Sequence, residues 1–265
     1  MSVRKAIQDI LLWRGLNFLS VFILNVLVAR LFEASQAGSL FFFINNLSLI
    51  ILVVSYSLES GMGYYAASGN VRASRLAMLA LIWCILAFLL TFLLFDYFAD
   101  QISPLQGINS KLLAIFFIGG SLLISFYSAL YFARENFFIP NLCLLVINLA
   151  LIVLFVLGVQ GAFTGKWLIY AYFTGFLLQG LLIAIFYFFS NQGRDYTLPS
   201  SVDLRKLIKY SSAAFLSNII FFLVYRVDYW FVEKYCTSDE LGNYIQVSKI
   251  VQWFLLIPMM IGTAI

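Results

Sequence analysis

The sequence predicts an all-α polytopic membrane protein of about eight transmembrane helices. Three observations point there. Apolar residues make up 63% of the chain and charged residues 11%, whereas soluble domains hold roughly 45–50% and 25%. Mean hydropathy is +0.97, with 28 phenylalanines among 265 residues; a soluble core of this size cannot hide that much apolar surface. The apolar residues also fall into runs that reach the roughly 20 residues a spanning helix requires.

Those runs cover 10–32, 39–66, 75–98, 111–132, 137–159, 166–190, 207–232 and 241–265. The first follows Arg4 and Lys5 but has no small-residue cleavage site and is longer than a signal-peptide core, so it stays as a helix. Gly61, Gly63, Ser68, Gly69 and Asn70 close the second, and Asp96, Asp100, Ser103 and Pro104 punctuate the third. Arg134 and Glu135 form the turn after the fourth, and Lys166 begins the sixth. Asn191, Gln192 and Gly193 end the sixth, and residues 191–206 are expected to form a cytoplasmic amphipathic linker. Asp239 and Glu240 supply a short acidic turn between the seventh and eighth.

Basic residues set the orientation. Arg4, Lys5, Arg72, Arg75, Arg134, Arg194, Arg205, Lys206 and Lys209 fall on one side, against Arg30, Lys111, Lys166 and Lys234 on the other. The first side, with the N-terminus, is expected to face the cytoplasm. The chain has no histidine, which removes histidine metal sites and histidine bases. Cys84, Cys143 and Cys236 form no CxxC spacing, so neither a zinc site nor a disulfide framework is indicated. Without a long loop or a surface cluster of catalytic groups, the chain is not expected to be an enzyme, and no cofactor or nucleic-acid partner is indicated.

An offset of 204 residues lays the seventh and eighth runs on the first and second without gaps. It aligns Lys5 with Lys209, Phe18 with Phe222, Gly38 with Gly242 and Leu52 with Leu256. An even number of helices between copies makes the repeat parallel, with a pseudo-twofold axis along the membrane normal. The expected organisation is a six-helix lobe over 1–190, the linker over 191–206, and the first two helices of a second lobe over 207–265. The sequence runs out inside an apolar stretch, and the chain is expected to be part of a longer protein.

Two stretches carry a resemblance. LNFLSVFILNVLVARLFEASQAGSLFFFINNLSLIILVVSYSLESGMGYY resembles the opening of bacterial polysaccharide (O-antigen type) flippases. YSSAAFLSNIIFFLVYRVDYWFVEKYCTSDELGNYIQVSKIVQWFLLIPMMI is similar to that family's seventh and eighth helices, with Arg226 and Asp228, then Gly242, Tyr244 and Pro258 in the motif positions. The family belongs to the multidrug/oligosaccharidyl-lipid/polysaccharide exporter superfamily, whose members have two six-helix lobes. The resemblance implies transport of undecaprenyl-diphosphate-linked oligosaccharide from the cytoplasmic to the periplasmic leaflet of a bacterial inner membrane. It also implies a setting among membrane lipids, glycosyltransferases and a polysaccharide polymerase.

Such a cargo needs a hydrated cavity with cations for phosphate and polar or aromatic groups for sugar. Arginine presents a planar fork to two oxygens at once, and lysine a point charge. Arg226 lies beyond the middle of the seventh run and Asp228 about 200° further around the helix, so the two cannot pair directly. Arg226 either lines the cavity or snorkels, and Asp228 serves as an ion-pair or coupling carboxylate. Gly242, Gln246, Lys249 and Trp253 recur at helical spacing and are expected to face the bundle interior. Arg14 and Asn25 share nearly one face of the first run; Arg14 either faces the cavity or snorkels to the cytoplasm. Glu59 is read two ways, pairing with a nearby arginine or exchanging H+ or Na+ as a coupling group. Tyr229 and Trp253 flank the charged faces and are candidates for stacking on sugars. A drug or cation exporter would favour carboxylates in its cavity, and a glycosyl polymerase or ligase would show a long periplasmic loop.

Overall fold

The computed structural model describes residues 3–102, 105, 108–190 and 196–262, with side chains described in those spans except at 3–11, 98–102, 253 and 255–262. Among them are nine helices: α1 (Val3–Leu31), α2 (Ala34–Ser55), α3 (Leu58–Ala67), α4 (Ala73–Ile102), α5 (Ser110–Phe132), α6 (Phe138–Val159), α7 (Gly165–Phe189), α8 (Ser201–Tyr235) and α9 (Ser238–Gly262). Seven of these, α1, α2 and α4 to α8, are long and apolar enough to cross a membrane. The chain is a polytopic all-α membrane protein.

Two boundaries differ from the sequence expectation, each for a local reason. The run over 39–66 is not one helix. Tyr56 and Ser57 both take left-handed backbone, with φ of 51° and 50°, and separate α2 from α3. Left-handed backbone costs a non-glycine residue about 1–2 kcal/mol, so outside contacts must hold this turn. The linker expected over 191–206 ends early, because residues 201–206 are the first turns of α8. Ser200 caps that helix, its Oγ accepting from the Asp203 N–H at 3.2 Å. That bond satisfies one of the donors every helix start leaves open.

The densest packing lies among α4, α5 and α7, and α6 lies along α1. At the α5–α7 crossing, a Cβ on Gly180 would lie 2.6 Å from the Gly120 carbonyl oxygen, so only small residues let these backbones approach. Tyr127, Phe126, Phe173 and Tyr187 fill the centre with no more than 0% exposure. Two of the buried hydroxyls find backbone partners there: Tyr127 donates to the Ala77 carbonyl at 3.1 Å and Tyr187 to the Ala73 carbonyl at 3.4 Å.

α9 lies along α2, and α8 against α3 and α2. The α2–α9 crossing is built on Gly38 and Gly242. A Cβ on Gly38 would meet the Gly242 Cα at 2.6 Å and the Ser238 carbonyl oxygen at 3.3 Å. A Cβ on Gly242 would meet the Ala34 carbonyl oxygen. Positions 34 and 238, like 38 and 242, are 204 apart. The contact is therefore reciprocal in the manner of a twofold interface, where residue i meets j and the mate of j meets the mate of i.

Candidate functional site

A cavity of about 750 Å³ opens between α1, α2, α8 and α9, with Tyr172 of α7 at its edge. Its wall is mainly aromatic and aliphatic: Phe41, Ile44 and Leu52 from α2, Phe221, Phe222 and Tyr225 from α8. Into it come Arg226 and Lys249, the carboxamides of Asn25, Asn45, Asn218 and Gln252, and the hydroxyl of Ser48. No carboxylate lines the cavity among the described residues.

The two cations are held by neutral groups. Lys249 Nζ donates to Asn25 Oδ1 at 3.1 Å and lies 2.9 Å from the centroid of the Phe41 ring. Arg226 Nη1 donates to the Tyr229 hydroxyl at 3.1 Å, and that hydroxyl donates to Ser248 Oγ at 3.0 Å. Gln252 Nε2 also donates to Ser248 Oγ, at 3.4 Å. Tyr229, fully buried, thus anchors the Arg226 fork and joins α8 to α9. A buried charge without a counter-ion costs several kcal/mol, and a cation–π contact returns only about 2 kcal/mol when desolvated. The site is therefore short of negative charge.

The expected site residues divide between wall, support and elsewhere. Arg226, Lys249 and Asn25 share the cavity wall. Tyr229 does not line it; its ring is 0% exposed, which rules out stacking on a cargo sugar. Gln246 is also off the wall, with its Nε2 buried and unbonded. Gly242, one turn earlier, is packed against Ala34 of α2. Arg14 lies elsewhere, its guanidinium 5.4 Å from the centroid of the Phe132 ring at the end of α5. Asp228 points away from the cavity: Oδ2 accepts from the Tyr244 hydroxyl at 2.5 Å, and Oδ1 is buried without a partner. Glu59 starts α3 outside the wall, with Oε2 buried and unbonded. The Trp253 side chain lies outside the described residues, as does that of Pro258.

Asn45, Ser48, Asn218, Phe41 and Tyr172 belong to the wall without having been singled out in the sequence. The signal for two of them lay in the 204-residue offset, which aligns Asn45 with Lys249 and Ser48 with Gln252. All four line the cavity. A smaller cavity of about 200 Å³ lies among α1, α5, α6 and α7 and shares Tyr172 with the first. There Asn148 Nδ2 donates to Asn17 Oδ1 at 3.1 Å and to Ser20 Oγ at 2.9 Å, and Gln179 Nε2 donates to Asn148 Oδ1 at 2.7 Å.

Neither a protein-family profile nor a curated sequence matches the chain. Among solved structures it is similar to a MOP superfamily transporter from Pyrococcus furiosus, with a TM-score of 0.59 and 16% identity. That protein is described as having a binding pocket of reverse polarity that suggests a different function. The match covers 85% of this chain and 55% of the transporter, so the chain spans about half the length of the protein it matches. At this identity the likeness is one of fold: the helices described above are arranged as in part of a MOP superfamily transporter.

Proposed function

We propose that the chain is part of a bacterial inner-membrane transporter, with its N-terminus in the cytoplasm, that flips undecaprenyl-diphosphate-linked oligosaccharide to the periplasmic leaflet for surface-polysaccharide synthesis. The observation that carries the reading is the cavity between α1, α2, α8 and α9, with two cations, four carboxamides and no carboxylate on its described wall. A diphosphate fits the cations: the Arg226 fork binds two of its oxygens, and Lys249 balances the remaining charge at close range. Carboxamides and the Tyr225 ring suit sugar hydroxyls and sugar faces. A cationic drug or metal ion would meet repulsion at the same wall.

In this reading residues 1–190 form one lobe and 207–265 begin a second, related by the parallel repeat, and alternating access comes from rocking of the lobes about the α2–α9 contact. Asp228 and Glu59, each with a buried unbonded oxygen, are the carboxylates available to couple transport to H+ or Na+. Lipid-linked substrate would come from glycosyltransferases at the cytoplasmic face and pass to a polymerase on the other. The test is Arg226→Ala and Lys249→Ala in the full-length protein, read by reconstituted flipping of a fluorescent undecaprenyl-diphosphate sugar and by surface-polysaccharide display. Both variants should fold and lose flipping. Undiminished flipping in the double variant would remove the cationic site from the mechanism.

A further inference from the structure

The break between α2 and α3 is made by Tyr56 and Ser57, two consecutive left-handed residues of which neither is glycine. Beyond a local bond from the Ser57 N–H to Ser55 Oγ at 3.2 Å, what holds this strained turn comes from α8. The Tyr56 hydroxyl is hydrogen-bonded to Ser212 Oγ at 2.9 Å, and the Tyr56 ring stacks on Phe215 with centroids 4.7 Å apart. Asn218 Nδ2 donates to Ser57 Oγ at 3.0 Å. The grip continues along α3. Gly61 lies so close to α8 that a Cβ there would be 2.6 Å from Ser211 Oγ. Tyr64 stacks on Tyr210 with centroids 4.7 Å apart and planes within 11°.

We propose that α3 is a clasp: a hinged half-helix that closes the cavity at its α3 end by gripping α8 through the Tyr56–Ser57 turn, and that must release α8 before the cavity opens to that side. The inference rests on the alternating-access reading above. Asn218 belongs both to the cavity wall and to the grip on Ser57, so the closure sits at the edge of the binding space. The grip consists of neutral hydrogen bonds and ring stacks, with no ion pair among the contacts just named. Each is individually weak, and the left-handed turn resists the closed form. A seal of many weak contacts working against local strain is suited to repeated opening on the microsecond-to-millisecond scale of domain motion.

The test locks the clasp and asks whether the cavity closes. A Cβ at Gly61 would be 2.6 Å from Ser211 Oγ, which places the two Cβ atoms within about 4 Å, inside the range a disulfide needs. Gly61→Cys with Ser211→Cys is made in the full-length protein, with Cys84, Cys143 and Cys236 replaced by alanine. Ser48→Cys on the cavity wall serves as reporter. Sealed vesicles are treated with a membrane-impermeant maleimide from each face in turn. With the bridge formed, Ser48→Cys should react about tenfold more slowly from the cytoplasmic face than after reduction, as expected when a minor open state is removed. A second pair of variants needs no bridge: Tyr56→Phe and Asn218→Ala, without the cysteine pair, should each speed labelling from that same face. Equal rates with the bridge formed and reduced, from both faces, would overturn the clasp. So would a bridge that fails to form in protein that elutes normally. The readout uses no cargo, so loss of flipping in other assays leaves it intact. Slowing from the periplasmic face instead would support the clasp and overturn the assigned orientation.

Discussion

Gly38→Ala isolates the α2–α9 contact. The added Cβ would stand 2.6 Å from the Gly242 Cα and 2.8 Å from its nitrogen. Both are backbone atoms, so neither can swing aside as a side chain would. Ordinary contact begins near 3.4 Å, so the helices must part by roughly 0.8 Å along this line. Forcing a methyl group into a packed contact costs about 1–3 kcal/mol, and backbone opposition puts this case at the upper end. At about 2–4 °C per kcal/mol for 150–250 residues, and less for a longer chain, that is a fall in Tm of roughly 2–8 °C. Gly242→Ala should cost at least as much, because its methyl group is aimed at the Ala34 carbonyl oxygen. One separation relieves both clashes, so the double variant should fall short of the sum by on the order of 1–3 kcal/mol. The assay is thermal unfolding of the detergent-solubilised full-length protein, followed by tryptophan fluorescence. Unchanged Tm in Gly38→Ala, or strict additivity in the pair, would refute the reciprocal contact.

Three further substitutions probe the site and its supports. Lys249→Met removes a buried charge that no carboxylate balances among the described residues, so stability should hold or rise, by up to about 3 kcal/mol, while flipping is lost; a clear fall in Tm would mean the charge is balanced after all. Tyr229→Phe takes the acceptor from Arg226 and the donor from Ser248, and should cost about 1–3 kcal/mol and lower flipping, read by Tm and the reconstituted assay together. Asn148→Leu breaks its bonds to Asn17, Ser20 and Gln179, and should cost on the order of 3 kcal/mol, with unchanged Tm the refuting result.

The spans were legible because an apolar run of helical length in a chain this short of charge has one stable use. The turn at Tyr56–Ser57 was not, since no glycine or proline marks it and its long-range contacts come from α8, 156 to 161 positions away. The early start of α8 was legible in principle: Ser200 with Asp203 three residues on is a helix-start signature. Within the site, Arg226, Lys249 and Asn25 stood out because polar groups in a membrane helix are costly and must face something. Helical spacing alone grouped Gln246 with Lys249. It did not foresee that Gln246 would lie off the wall that Lys249 shares. Tyr229 read as a surface for sugar because sequence cannot tell a ring that lines a wall from one buried behind it.

If the two contacts act as the closures proposed above, they differ in kind, and the difference bears on direction. At the α2–α9 end, Gly38 meets Gly242 in a reciprocal contact of small residues, so separation there costs dispersion and little else. At the α3–α8 end, the grip uses hydroxyls, a carboxamide and stacked rings, and the offset of 204 places Ser57 opposite Ile261 and Tyr56 opposite Met260. Neither mate can reproduce the hydrogen bonds of Ser57 or Tyr56. The repeat is thus symmetric at one end of the cavity and broken at the other. Two closures of equal chemistry would give a cavity no preference between faces. In the proposed reading, an apolar pivot opposite a hydrogen-bonded clasp would give the two openings different free energies, and an anion bound beside Arg226 would shift that balance through Asn218 on the same helix, α8.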